Sequence, residues 1–401
     1  MGSGGLVDQE FFFRMSKFTL GWLAVGVAIR VILFPYVSSS YLGARMEFSS
    51  PLTSFRRVLE AAHLSNPYSG DFMHMPPLLS GFFMAIANTP FTYFSVLVLL
   101  DGISAILLAS LFGPAIATIF WLSPYTVVSA LALSAESVHV LVVALLLFGA
   151  VKKIDFQLSI FLTALLVVLK PVSPIFLVFP LAALFNKPLS LVALITCAWL
   201  AVLHAVCFWI SGGDPSYVYS SVISPLFITT DLEPNFGVCW CLFTVMFPGS
   251  VPLFRIVMNG HLLLLGMPVY IRLTQTKKIP YMREARVQFL ILMMAAVLLF
   301  QPYPTALDFA FLLSLLLANT VFVDKTVMVC AQLGFAAQFF ASVTATLWLE
   351  RNTGNANFLF HMSMLVVIAF GLALAQSFRL LRLLGYEAGV QAVGTVGKVS
   401  D

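Results

Sequence analysis

Apolar runs of membrane-spanning or near-spanning length recur along nearly the whole chain, separated by short polar turns. About 20 apolar residues make a helix long enough to cross a bilayer. On that measure the segments are 18–36, 93–111, 113–133, 137–151, 156–170, 171–186, 189–211, 252–273, 285–301, 304–323, 326–349 and 358–378. The expected fold is therefore an all-α polytopic membrane protein of about twelve transmembrane helices. Two further apolar pieces, 77–89 and 238–247, are too short to cross and read as re-entrant or interfacial. Pro171 and Pro174 threaten one span pair, because proline lacks the N–H that continues a helix.

Composition agrees with the pattern. Of 401 residues, 60% are apolar and 9% charged, against roughly 25% charged in soluble domains. This excludes a soluble globular enzyme, a disordered chain and a nucleic-acid-binding domain, and the net charge of +4 is no footprint for nucleic acid. The stretch from Phe18 to Val37 is too long for the h-region of a signal peptide and reads as a signal anchor and first span.

Charge then sets orientation. With the N-terminus in the cytosol, fourteen basic residues lie on the cytosolic side: Arg14, Lys17, Lys152, Lys153, Lys187, Arg272, Lys277, Lys278, Arg283, Arg286, Lys325, Arg379, Arg382 and Lys398. Six fall opposite: Arg45, Arg56, Arg57, Lys170, Arg255 and Arg351. Lys and Arg retained in the cytosol govern topology, and an even span count returns the C-terminus to the same side. The domain reading is a cytosolic N-terminus (1–17), one helical membrane domain (18–378) with lumenal loops 37–92 and 212–237, and a cytosolic tail (379–401).

The two long loops and the turns at Gln301–Pro304 and Glu350–Asn357 share one face, and function is expected where they meet, since loops on a rigid scaffold carry recognition. A short amphipathic helix is expected over 53–62, after Ser50-Pro51-Leu52-Thr53. Charged groups within spans are site hypotheses by default. Arg30 reads as snorkelling toward headgroups. Asp101 and Asp308 read first as members of interhelical hydrogen bonds or ion pairs, with contact to a polar ligand head as the alternative. Glu136 lies at the turn between the third and fourth spans.

Little points to catalysis. His204 and Cys207 lie three apart in an apolar span, a setting that suits packing better than a nucleophile. The six histidines never pair at metal-ligand spacing. The five cysteines form neither a zinc nor a thioredoxin pattern. No glycine-rich phosphate loop and no Asn-x-Ser/Thr glycosylation site occurs. No cofactor is called for.

Six blocks carry a resemblance. They are Glu47-Phe-Ser-Ser-Pro-Leu-Thr-Ser-Phe-Arg-Arg-Val-Leu-Glu60, continuing at Asn66-Pro-Tyr-Ser-Gly-Asp-Phe-Met-His74-Met-Pro-Pro-Leu-Leu; Ser123-Pro-Tyr-Thr-Val-Val-Ser129; Asp231-Leu-Glu-Pro-Asn-Phe-Gly-Val-Cys-Trp240; Tyr303-Pro-Thr-Ala-Leu-Asp308; and Gly354-Asn-Ala-Asn-Phe358. Together, in this order, they resemble the phosphatidylinositol-glycan class U family (PIG-U), the polytopic subunit of the glycosylphosphatidylinositol (GPI) transamidase. Asp101 falls in a similar family run. The joint at Phe112–Gly113 is shorter than the resemblance implies for animal members, and Ser123 stands where the family has Asn.

The resemblance implies a noncatalytic subunit in the endoplasmic reticulum membrane. It would bind the GPI lipid, the C-terminal attachment signal of precursor proteins, or both, while a caspase-like cysteine protease and the other transamidase subunits act beside it. The implied binding residues are Glu47, Arg56, Asn66, Tyr68, His74, Asp101, Asn235, Tyr303, Asp308, Asn355 and Asn357; catalytic and metal residues are none. The scaffold also resembles GT-C glycosyltransferases that use dolichol-phosphate sugars, so a dolichol-phosphate-mannose-dependent GPI mannosyltransferase is the alternative. Against it, Met46-Glu47-Phe48-Ser49 stands where those enzymes have an acid pair. A lipid transporter is a third reading, opposed by the scarcity of buried charge along any path through the bilayer.

Overall fold

The computed structural model describes residues 20–396 except 71, 87–88, 153, 172, 228–233, 276–281 and 319–323, with side chains described to Leu381. Among the described residues it is all helical, apart from one isolated bridge between Ser54 and Ser134. The expected cytosolic N-terminal segment 1–17 lies outside the described residues, as do Arg14, Lys17, Lys153, Lys277, Lys278 and Lys398.

Each apolar run is helical. The first is α1 (Leu20–Leu33). The long first loop holds α2 (Ser39–Gly43), α3 (Phe55–Ala61) and α4 (Pro77–Ile86). Then come α5 (Pro90–Phe112), α6 (Pro114–Trp121), α7 (Pro124–Leu131), α8 (Glu136–Lys152) and α9 (Phe156–Leu169). A 3₁₀ turn at Ser173–Leu177 leads into α10 (Val178–Phe185), followed by α11 (Leu189–Ile210). The second loop carries α12 (Ser216–Val218), a π turn over Tyr219–Ile223 and α13 (Ser224–Phe227). The rest are α14 (Cys239–Val245), α15 (Val251–Gln275), α16 (Met282–Leu299), α17 (Ala306–Ala318), α18 (Lys325–Leu349) and α19 (Ala356–Val396).

Local chemistry explains the boundaries. Thr89 caps α5 by accepting from Thr92 N–H, with Pro90 in the first turn. Asp155 caps α9 through Gln157 and Leu158, and Asp324 caps α18 through Val327. Gly113, at φ +92°, reverses the chain between α5 and α6. Pro124 cannot continue α6, so the expected span 113–133 is broken and α7 departs at 46°.

Among the described residues five helices, α5, α11, the stretch Pro248–Gln275, α18 and Ala356–Leu381 of α19, are long and apolar enough to cross a membrane, and the bent α6–α7 pair, taken as one span, makes a sixth. Shorter apolar helices are α1, α4, α9, Ser173–Phe185 and α17. This is a multi-pass membrane protein. Its core is built on α16 and α17, whose residues Phe289–Leu299 and Ala306–Leu312 are buried on every side against α6, α7, α8, α10, α18 and α19. Helices apolar all round belong inside. The outer helices turn Leu194, Leu264, Val329 and Leu372 outward, a surface that suits lipid.

Arg30 does not snorkel. It is fully buried, stacked 3.8 Å over Trp121, and donates to the carbonyls of Trp121 (2.9 Å) and Gly26 (3.0 Å). The Trp121 indole donates back to the Trp22 carbonyl at 3.1 Å. Such a tie suits a cation that lipid would penalise.

Candidate functional site: a loop face above a buried charge cluster

The four expected turns do meet. Loop 37–92 is the hub. The Glu47 carbonyl accepts from Ala306 N–H at 2.8 Å, binding the loop to the start of α17. Thr53 carbonyl accepts from Ala135 N–H at 2.8 Å, binding it to the α7–α8 turn. There Leu133 holds φ +56°, a conformation that costs a non-glycine residue about 1–2 kcal/mol. The second loop docks on the first: Asn66 donates to Asp214, Ser220 Oγ to the Tyr68 carbonyl (3.2 Å), and the His74 ring nitrogen Nδ1 meets the Ser220 carbonyl at 2.7 Å. Further along, the Asn235 carbonyl accepts from Ser363 Oγ of α19 at 3.2 Å.

Beneath this face is a cluster that spacing alone did not reveal. Lys170, at the C-cap of α9, projects its ammonium between Glu136 Oε1 (2.5 Å) and both Asp308 oxygens (3.1 Å), and also donates to Gln301 Oε1 (2.9 Å). His139 Nδ1 lies 3.0 Å from Glu136 and 3.7 Å from Asp308. The Thr305 N–H and hydroxyl donate to Asp308 at 2.8 and 3.0 Å. All these residues are buried. Glu136, His139 and Asp308 bring ligand-type atoms within 4.8 Å of one another, a grouping of the kind metals use. The Lys170 ammonium already sits where a cation would be held. The Glu136–His139 pair was visible in the sequence as an i, i+3 step; Lys170 and Asp308, 34 and 172 positions from Glu136, were not.

The eleven expected site residues divide. Glu47 is buried and paired with Arg45, whose guanidinium continues to Glu350 (3.0 Å) and Thr346 Oγ1 (2.7 Å). Burial pushes the Glu47 carboxyl above its usual pKa although Arg45 pulls it down. Arg56 is exposed and pairs with Glu60 on its own helix at 2.9 Å. Asn66 Oδ1 accepts from Tyr68 N–H (3.0 Å); the buried Tyr68 hydroxyl bonds the Met75 carbonyl (2.9 Å) and Ser80 Oγ (2.8 Å), and burial raises its pKa. His74 is buried, and Asn235 Oδ1 accepts from Gly237 N–H at 2.7 Å. Tyr303 packs with Met46 and Leu52. Asp308 belongs to the cluster. Asp101 lies inside α5, fully buried, away from the loop face, with Arg30 as its counter-charge. Asn355 and Asn357 are exposed; Asn355 Oδ1 accepts from Asn357 N–H at 3.0 Å. Asp231 and Glu233 lie outside the described residues.

Every carboxylate described on or under this face is thus engaged: Glu47 and Glu350 by Arg45, Glu60 by Arg56, Asp214 by Asn66 and Ser216, and Glu136 and Asp308 by Lys170. What remains presented includes the amides of Asn355 and Asn357 and the exposed cations Arg56 and Arg351. A family model described as GPI transamidase subunit PIG-U matches residues 24–366, and the chain belongs to that family. It is 25% identical to the GPI transamidase component GAB1 of Saccharomyces cerevisiae, covering 88% of this chain and 91% of that protein. It is 22% identical to the GPI-anchor transamidase component PIGU of Homo sapiens, over 85% of this chain and 88% of that one. The GAB1 homolog of Schizosaccharomyces pombe is 24% identical over 92% and 94%.

Proposed function

We propose that the chain is a noncatalytic subunit of a GPI transamidase in the endoplasmic reticulum membrane, holding the GPI lipid and the C-terminal signal of the precursor while a partner cysteine protease performs the transfer. The relatives' names, as transamidase components, support the complex. The observation that carries the division of labour is the engagement of every described loop-face carboxylate. A transfer reaction needs a base poised near the acceptor, and these groups are spent on holding the loops together. Cys207 is buried in α11, unsuited to nucleophilic attack.

The reading places all twelve apolar segments across or within the bilayer as one membrane domain, both termini cytosolic and the loop face lumenal. The glycan head then meets the exposed amides Asn355 and Asn357, with Arg56 at the rim. The other expected residues, Asp101 apart, shape that rim from below. A photoactivatable GPI lipid tests this in membranes containing the whole complex: Asn355→Ala with Asn357→Ala is expected to cut crosslinking at least fivefold with the complex intact. Unchanged crosslinking overturns the assignment of the rim.

The mannosyltransferase reading separates from it by depletion. Loss of the chain is expected to accumulate complete GPI lipids and unprocessed precursor together; arrest at an undermannosylated lipid refutes the subunit role.

A further inference from the structure

The break at Pro124 has an outcome on the far side of the bundle from the loops. Where α7 departs from α6, a groove of about 530 Å³ opens between the bent pair and helices α17 and α18. Ile119 and Leu122 form one wall, Leu313 and Leu317 a second, Met328 and Phe335 the third. Helix directions fix its depth. α17 enters from the loop face at Ala306, so Leu313 and Leu317 lie in its far half; α18 starts at the far end with Lys325. From Lys325 to Phe335 is ten residues, about 15 Å at 1.5 Å each, which is half of a hydrocarbon core of about 30 Å. The groove therefore serves one leaflet, and it stops where the helix is broken.

The charge at its mouth and the one amide in its wall narrow the occupant. At the mouth Lys325 is exposed and lies three residues before Met328, on the same helical face. Arg379 is exposed nearby, its charge felt by Asp324. Asp324 itself is occupied by Val327 N–H (2.8 Å) and by Gln376 Nε2 (2.7 Å). Two turns into the groove the exposed Gln332 presents an amide inside an otherwise apolar wall. Cation, then amide, then apolar trough is the order of phosphate, ester and tail in a phospholipid.

We infer that this groove binds one acyl chain of an anionic membrane phospholipid, with its phosphate on Lys325 and its ester carbonyl on Gln332, in the leaflet opposite the loop face. The site is separate from the GPI rim and does not depend on it.

The test uses the full-length chain purified with its complex in mild detergent, extracted and analysed by lipid mass spectrometry. Competition is run with phosphatidylserine, phosphatidylinositol and phosphatidylcholine. The expected result is about one anionic phospholipid retained per chain. Lys325→Gln should lower retention at least fivefold, and Ile119→Trp, at a wall residue already 40% exposed, should do the same by filling the trough. Equal retention in both variants overturns the inference. So does equal competition by phosphatidylcholine, or a photocrosslinker at position 119 that captures a polypeptide instead of lipid.

Discussion

Replacing Lys170 by Met isolates what the buried cluster contributes. Lys170 meets Glu136 at 2.5 Å and Asp308 at 3.1 Å. At about 3 Å and an effective dielectric near 20, each pair is worth roughly 5 kcal/mol of gross attraction. Much of that repays desolvation, so the net loss expected on removing one buried partner is about 3–5 kcal/mol. The greater part of the loss is the two carboxylates left together without a cation. It follows that neutralising them should rescue the fold. In thermal unfolding followed by size-exclusion fluorescence in detergent, Lys170→Met is expected to lower the melting temperature sharply. The triple variant Lys170→Met, Glu136→Gln, Asp308→Asn is expected to regain at least half of the loss. If the triple variant is no more stable than the single one, electrostatic locking is not what Lys170 provides, and the reasoning fails.

Three further outcomes are expected. At Gly26 an added Cβ lands 1.9 Å from Trp121 Nε1, so Gly26→Ala should destabilise by about 1–3 kcal/mol and Gly21→Ala, with nothing within 4 Å, should not, as read by the same thermal assay. Glu47→Gln, which weakens the Arg45 contact yet keeps an acceptor, should leave transamidation of a GPI reporter largely intact; loss of activity with a normal melting curve would count against a purely structural Glu47. The Ser216 hydroxyl and N–H and the Asn66 amide hold the Asp214 carboxyl below its usual range. The tie between the two loops is then fully present above the ordinary pKa of about 3.9 and is lost as pH falls toward the depressed folded value. Protection factors across 63–70 and 212–220, corrected for intrinsic exchange, should fall on that descent in the native chain, and Asp214→Asn should abolish that fall.

Helices were legible in the sequence because each is a long apolar run bounded by a cap or a proline. Where described, all twelve expected segments are helical, and the short pieces at 55–61, 77–86 and 239–245 also match. The break within 113–133 was not expected, although Pro124 announced it, because a single proline is tolerated in many membrane helices. The meeting of the four turns was expected from topology alone. The roles within them were not: Glu47 reads as a lone acid until Arg45 is seen to bridge it to Glu350, and Lys170 reads as one more lumenal cation until α17 brings Asp308 to it. Pairings separated by a hundred or more residues leave no mark on local periodicity.

Arg45 joins Glu47 to Glu350 across 305 positions, and Tyr41 reaches the same Glu350. This gives the chain a biogenesis order. At about 5–20 residues per second, the first loop is delivered to its side of the membrane roughly 15–60 s before the residues that fasten it are synthesised. During that interval Arg45 has Glu47 but neither it nor Tyr41 has Glu350, and the loop is available to chaperones or to other subunits. A truncation after α17, or a nonsense change near residue 340, should therefore disorganise a surface encoded near the start of the message. The loop face is finished last, and its assembly reports that every helix has arrived.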